Sequence, residues 1–408
     1  MGNNFKSLYL VKVEPDANNN KFYRLIQTDE NNFSAEYGRI GAGGFQTAYY
    51  NMSQWDKKVR EKEKKGYCDQ TRLVAEVVIK EKKNKEYLDI QNQVIASIVA
   101  RLQSMAKQAI TDNYTISSNN VTQVMIDEAQ LTLNNLMSAD NLELFNKILV
   151  ELFKIIPRKM KKVKDNLAIK VEDFGEIIQK EQDLLDVMRG QVVTASIIEN
   201  EEEIGLDKPI NNQTILDALG LKLEEITDKE KAMIKKELGD ISDKFYQAWK
   251  VINTRTQERF DKFIVNENIK DNRLLFHGSR SENIWSIINS GLVLRPSKVV
   301  INGKMFGIGC YFSPCGRKSL GYTSISGSRW VSGNANSGFM ALFDVAYGKP
   351  YDVHSFDSKY YNFNYEELQK VCKGANSLHA HKGKMLYNDE IIVYKEDQMT
   401  IKYLIELK

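Results

Sequence analysis

Three changes of pattern along 408 residues predict a multidomain α+β protein. β-prone runs separated by turn residues fill residues 1–88, helical periodicity governs 89–205, and strands interleaved with short helices and glycines occupy 206–408. The expected parts are a small β-rich domain, an all-α bundle, and a mixed α/β domain with antiparallel-rich sheets. Length agrees, since one hydrophobic core rarely serves a chain beyond about 250–300 residues.

In the first part, Leu8-Tyr-Leu-Val-Lys-Val13 and Lys21-Phe-Tyr-Arg-Leu-Ile-Gln27 read as strands on either side of the turn-rich Pro15-Asp-Ala-Asn-Asn-Asn20. A third run ends at Tyr37-Gly-Arg-Ile-Gly41. A charged helix is expected over about Ser53 to Lys65, with Ser53 as its N-cap. Gly66 stops it, because glycine accepts the left-handed conformation that closes helices. Lys57, Lys58, Lys62, Lys64 and Lys65 on that helix are interleaved with Glu61 and Glu63, a pattern ordinary for a solvated face with i,i+4 pairs.

In the second part, Val94, Ile95, Ile98, Val99, Leu102, Met105, Ala106 and Ala109 fall three and four apart and make one apolar stripe. A second stripe runs Phe145, Ile148, Leu149, Leu152, Ile156 and ends at Pro157. A third uses Phe174, Ile177, Ile178, Leu184, Leu185 and Met188. Asp140-x-x-Glu143 and Asp173-x-x-Glu176 resemble capping boxes for the latter two. Stripes of this kind bury against one another, which predicts a bundle. The polar Glu199-Asn-Glu-Glu-Glu-Ile-Gly205 reads as the connection to the last part, where one more helix is expected around Asp228 to Glu237.

Three apolar, strand-like segments in the last part each deliver one polar side chain. They are Leu274-Leu-Phe-His-Gly-Ser-Arg280, Gly307-Ile-Gly-Cys-Tyr-Phe312 and Tyr387-Asn-Asp-Glu-Ile-Ile-Val-Tyr394. His277, Tyr311 and Glu390 together suit the gripping of a nicotinamide dinucleotide and the breaking of its glycosidic bond. Cleavage there develops oxocarbenium-like charge, which a fixed carboxylate favours. Gly278 lets a ligand approach the backbone after the His277 strand. A flat aromatic such as Tyr311 adds only about 0.5–1.5 kcal/mol of stacking, so its task is positioning. Asp389 is the neighbouring rival to Glu390 for the carboxylate role. The spacing Gly303-x-x-x-Gly307-x-Gly309 is not that of a Rossmann fingerprint, and no βαβ unit with a downstream acid follows, so hydride transfer is disfavoured.

Composition narrows the setting. The apolar fraction of 42% and charged fraction of 27% are those of a globular protein. The net charge of +3 gives a slight lean toward an anionic partner, held entirely by the first 90 residues. No apolar run approaches a membrane span and no secretory leader is legible, so an intracellular location without a membrane partner is expected, nuclear or cytoplasmic. Four scattered cysteines make no disulfide framework, and Cys310 with Cys315 lacks the second pair a zinc site would need. His379 and His381 lack a supporting carboxylate pattern in the sequence and are read as loop residues, so no metal is expected.

The order and flanks of the three catalytic-type segments resemble the His-Tyr-Glu ADP-ribosyltransferases, specifically the poly(ADP-ribose) polymerase branch. Tyr37-Gly38-Arg39 with the charged helix ending Lys64-Lys-Gly-Tyr67 is similar to a WGR domain, and a helical stretch between the two resembles the regulatory domain of the DNA-dependent members. The resemblance implies NAD as ADP-ribose donor. It implies that His277 bonds the ribose, that Gly278 and Ser319 hold the carboxamide beside Ser279, that Tyr311 and Tyr322 sandwich the ring, and that Arg295 meets the adenosine side. It further implies that Tyr37, Gly38 and Arg39 face DNA ends or nicks through sequence-independent contacts. Acceptors would be proteins, including the chain itself, and the bundle would obstruct the NAD site until DNA biases it open. Two other readings stay open: a transferase not triggered by DNA, and a DNA-end-binding scaffold without activity.

Overall fold

The computed structural model describes residues 5–71, 87–113, 122–203, 213–294, 305–325, 335–384 and 386–408. The chain divides into two compact units, Met1–Lys83 with Lys107–Val192 and Asn84–Ala106 with Val193–Lys408. The two long helices at the borders, Gln93–Asn113 and Phe174–Glu203, each contribute residues to both units.

The first unit is built on an antiparallel sheet of β1 (Ser7–Glu14), β2 (Asn19–Gln27), β3 (Asn32–Arg39), β4 (Gln46–Asn51) and β5 (Cys68–Asp69), in the order β4-β3-β2-β1-β5. Leu10 and Val11 are adjacent on β1 and both fully buried, so the sheet is covered on both faces. Side chains alternate along a strand, which assigns the two covers to different partners. On one face Leu10, Tyr23, Leu25 and Phe33 pack with Trp55 and Val59 of α1 (Trp55–Lys64). The cap of this helix differs from the expectation. A short 3₁₀ turn, Met52–Gln54, comes first, and Asn51 rather than Ser53 accepts the capping bond, from the Ser53 amide at 3.0 Å. Gly66 sits at φ +81°, as a helix-closing glycine does.

Four helices follow among the described residues: α2 (Gln93–Asn113), α3 (Gln123–Leu136), α4 (Leu142–Ile155) and α5 (Phe174–Glu203). Helix α4 packs on β1 and supplies the second cover of the sheet. Its cap is Asn141, whose Oδ1 takes the Leu144 amide at 2.9 Å, and Asp140 instead accepts from the Asn141 side chain. Asp173 is likewise not an N-cap. It closes a 3₁₀ turn, Val171–Asp173, and its Oδ2 reaches back to the amides of Ile169 and Lys170. For α4 the Asn141 side chain, one residue on from Asp140, is the one that reaches an orphan N–H group. The 199–203 stretch, expected as a connection, is helical and belongs to α5.

The second unit contains two sheets. The first is antiparallel, in the order β6-β7-β14-β10-β8, from β6 (Leu221–Glu225), β7 (Phe245–Asn253), β8 (Arg273–Gly278), β10 (Gly338–Val345) and β14 (Met399–Leu407). The other has the order β11-β12-β13-β9, from β9 (Cys310–Phe312), β11 (Pro350–Val353), β12 (Ser377–Ala380) and β13 (Glu390–Val393). Only β11 and β12 pair in parallel among the described strands. The sheets are joined where Phe276 and Ser313 exchange backbone bonds of 2.9 and 3.0 Å, at the edge strands β8 and β9.

Helices α6 (Ile215–Ala218), α7 (Asp228–Leu238), α8 (Thr254–Asn266), α9 (Ile284–Ser290), α10 (Gly316–Leu320) and α11 (Tyr365–Val371) surround them. Thr227 and Glu230 form a reciprocal capping box that fixes the start of α7. Ile234 and Leu238 of α7 then pack with Phe276, Met340 and Ile405 on one face of the five-stranded sheet. Asn253 is fully buried at the end of β7, caps α8 through Thr256, and donates to the Ile288 and Asn289 carbonyls of α9 at 2.8 Å. One amide side chain thereby fixes a strand and two helices.

Candidate active site

The strand positions decide which side chains can meet. Ile392 of β13 lies opposite Tyr311 of β9, and Glu390 is two residues before Ile392. A two-residue step returns to the same face, so Tyr311 and Glu390 look to one side of the four-stranded sheet. Glu390 is only 6% exposed, and its carboxylate forms an ion pair with the Lys318 ammonium on α10. Asp389 points the other way and accepts the Lys382 amide at 2.7 Å while its Oδ2 lies 3.3 Å from His379 Nε2. The choice between the two carboxylates in the sequence is thus a choice between two faces.

Tyr311 is fixed at its far end. Its hydroxyl accepts the Phe306 amide and donates to the Gly307 carbonyl, both at 3.0 Å. Burial holds this phenol well above its ordinary range; the Phe306 amide opposes that shift, and the Glu390 charge adds to it. The loop can wrap so closely because Gly307 lies at φ +73°, where a Cβ would also fall 2.0 Å from the Phe363 carbonyl oxygen. His277 is reached through the sheet junction: its Nδ1 is 3.1 Å from the Tyr311 carbonyl oxygen, and its ring lies against Phe312 and Phe343.

Gly278 ends β8 directly against α10. A Cβ built there would stand 1.9 Å from the Ser319 carbonyl oxygen and 3.2 Å from Tyr322 Cβ. Gly278, Ser319 and Tyr322 are therefore brought together, and Ser319 is 4% exposed. Tyr322 is 46% exposed, although the packing around it and then the Glu390 charge raise its phenol. Ser279 is turned toward Asn283, whose Nδ2 donates to its Oγ at 3.4 Å. Arg295 lies outside the described residues. Gly278→Ala should lower thermal stability. Backbone stands in the way of the new methyl, and overpacking of this kind costs about 1–3 kcal/mol. A melting curve identical to that of the unchanged chain would contradict this packing.

Lys318 is the residue that sequence reasoning missed. It is separated from Glu390 by most of the catalytic-type segment, and only its place beside Ser319 on a short helix hinted at it. Helix α10 thus presents Ser319 to Gly278 and Lys318 to Glu390.

Arg39, Gly38 and Tyr37 lie on β3 of the first unit. The Arg39 guanidinium donates to the carbonyls of Asn18 at 2.8 Å, Met160 at 3.1 Å and Lys161 at 2.6 Å. Asn20, fully buried, donates to the Arg158 carbonyl at 3.0 Å beside it. Tyr37 stacks on Tyr23 with ring centroids 5.4 Å apart. Arg39 and Asn20 together clamp the segment around residue 160 to the sheet.

His379 and His381 are not the isolated loop residues the sequence implied. Asp352 is brought beside both: its Oδ1 is 2.7 Å from His381 Nε2 and 4.0 Å from His379 Nδ1. Burial, then the neighbouring His381, lowers the His379 pKa from its ordinary value. The sequence could not show this carboxylate because the parallel pairing of β11 with β12 supplies it.

Comparison with known proteins matches residues 223–408 to the poly(ADP-ribose) polymerase catalytic domain and residues 6–74 to the WGR domain. The chain is 34% identical over 168 residues to the poly(ADP-ribose) polymerase-like protein 100L of Invertebrate iridescent virus 6, a match covering 40% of this chain and 87% of that protein. The chain belongs to the poly(ADP-ribose) polymerase family. It is also 26% identical over 267 residues to the protein mono-ADP-ribosyltransferase PARP3 of Gallus gallus, covering 58% of this chain and 48% of that protein. Against poly(ADP-ribose) polymerase 2-A of Oryza sativa it is 23% identical over 307 residues, covering 67% of this chain and 44% of that one. The enzyme class that goes with this family is NAD ADP-ribosyltransferase, and the second unit carries its catalytic domain. No helix among the described residues is long and apolar enough to cross a membrane.

Proposed function

We propose that this chain transfers ADP-ribose from NAD to protein side chains, releasing nicotinamide, and that DNA breaks stimulate it. The observation that carries the chemistry is the meeting of Glu390, Tyr311 and Lys318 on one face of the four-stranded sheet, with Gly278 and Ser319 in contact alongside. In this reading His277 bonds the ribose, and Gly278 and Ser319 take the carboxamide beside Ser279. Tyr311 and Tyr322 hold the ring between them. Glu390 bonds a ribose hydroxyl and favours the oxocarbenium-like charge as nicotinamide leaves. It also polarises the incoming acceptor, a carboxylate or hydroxyl side chain or a growing ADP-ribose chain. Lys318 orients the carboxylate through their ion pair.

For DNA, the support is the WGR domain match and the position of Arg39. With its donors on the carbonyls of residues 18, 160 and 161, Arg39 serves to tie the sheet to the helical segment, so DNA held by that sheet could alter the helices. Partly exposed aromatics of the same domain, Phe45 at 58% and Tyr49 at 77%, offer surfaces on which bases or sugars can stack. The test is incubation of the full chain with labelled NAD, with and without nicked or blunt duplex. Self-labelling that rises about tenfold or more with broken duplex is expected, the scale of a coupling of a few kcal/mol. Labelling that is equal in both arms would leave the transferase and remove its DNA trigger; no labelling and no nicotinamide in either arm would remove the transferase itself.

A further inference from the structure

The four-stranded sheet carries a second polar cluster, on the face away from Glu390. Three of the four histidines of the chain gather there: His354, His379 and His381. The parallel pairing of β11 and β12 sets Asp352 opposite His379. A two-residue step along either strand returns to that face, bringing His354 and His381 into line. The His379 and His381 rings stack with centroids 3.9 Å apart, and His354 lies against His381 at 4.4 Å.

One donor atom from each of Asp352, His379 and His381 lies within 4.8 Å of the others. The closest pair is His381 Nε2 and Asp352 Oδ1 at 2.7 Å. Donors bonded to zinc at about 2.0–2.1 Å in a tetrahedron stand about 3.3–3.4 Å apart, so seating an ion requires the His379 and His381 rings to turn out of their parallel stack. A second observation points the same way. His379 is nine-tenths buried, its Nε2 faces Asp389 Oδ2 at 3.3 Å, and its Nδ1 lies 2.8 Å from the Tyr347 hydroxyl, which an ion at Nδ1 would displace. Asp389 is itself fixed by the Lys382 amide. A carboxylate behind the far ring nitrogen is how metal-ligating imidazoles are oriented. Two imidazoles with one carboxylate suit zinc-like ions and are a poor match for magnesium or calcium, which take oxygen.

We propose that Asp352, His379 and His381 bind one divalent transition-metal ion of the zinc type, with Asp389 orienting His379. The ion would pin β11 to β12 and, through Asp389, steady the strand on which Glu390 follows. The site does not depend on the transferase reading, since its readout is metal content.

The experiment is equilibrium binding of zinc chloride to the full chain, followed by elemental analysis after desalting, with magnesium chloride as competitor. The variants are His381→Ala and Asp352→Asn, whose side chains are 29% and 50% exposed, so loss of a buried group is small in both. Circular dichroism before zinc addition checks their fold. One equivalent retained by the unchanged chain, undisturbed by magnesium, and affinity lowered more than about tenfold in each variant are expected. Cobalt(II) in place of zinc should give the visible absorption of a four-coordinate site, lost in the same variants. Absence of a retained equivalent would overturn the assignment. Equal zinc affinity in both variants would also overturn it, since the metal would then sit on other groups such as the free cysteines.

Discussion

Glu390→Gln is expected to slow nicotinamide release by about a hundredfold or more while leaving NAD affinity nearly unchanged. The substitution keeps the shape of the side chain and one acceptor oxygen, so a ground-state hydrogen bond to ribose survives. It removes the negative charge that matters only as the glycosidic bond breaks. Preorganised groups of this type contribute about 2.7–4 kcal/mol to the transition state, which is a factor of a hundred to a thousand. An effect on turnover without an effect on binding is the signature of such a group. Lys318 loses its partner in this variant, but at 16% side-chain exposure it keeps some access to water. A fold check should accompany the kinetics for that reason. Asp389→Asn is the control, because Asp389 faces His379 on the opposite side of the sheet. If Asp389→Asn abolished turnover and Glu390→Gln spared it, the assignment of faces in the proposed mechanism would be wrong.

Glu181→Leu is expected to destabilise the first unit by about 3–5 kcal/mol, and a compensating Arg158→Met in the same chain should restore most of that. Arg158 and Glu181 are 4% exposed each, and their forked pair includes a bond of 2.6 Å from Nη1 to Oε1. Removing one member of a buried pair leaves a desolvated charge behind, whereas replacing both by apolar groups of similar volume is often neutral. The site favours the neutral outcome: Arg158 already lies over the Phe153 ring at 4.8 Å, so a thioether there would meet apolar surface. Denaturant unfolding of the two single variants and the double variant measures this directly. Equal stability of the Glu181→Leu chain and its parent would show that the pair is not buried as described. The loss reaches the Arg39 clamp, since the Arg158 carbonyl takes the bond from Asn20 beside it.

Much of this molecule was legible without coordinates because the signals involved are local. The run from Leu8 to Val13, the helix beginning at Asp228 and the closing glycine at position 66 depend on neighbours within a turn or two. The three motif segments were legible as well, since each places one polar residue in an apolar strand. The caps show the limit of such reading. Asn141 and Asn51 displaced Asp140 and Ser53 because a shift of one or two residues changes which side chain reaches an unbonded amide, and composition does not register so small a step.

By itself the sequence determined the kinds of elements, their order, and the presence of His277, Tyr311 and Glu390 as polar residues on strands. Only the tertiary structure decided that Lys318 pairs with Glu390, that Asp389 looks to the opposite face, and that Asp352 joins His379 and His381. Periodicity fixes which face of its own strand a residue occupies, but not which distant strand lies beside it. That choice follows from burying both sheets against the elements that cover them, a property of the whole chain.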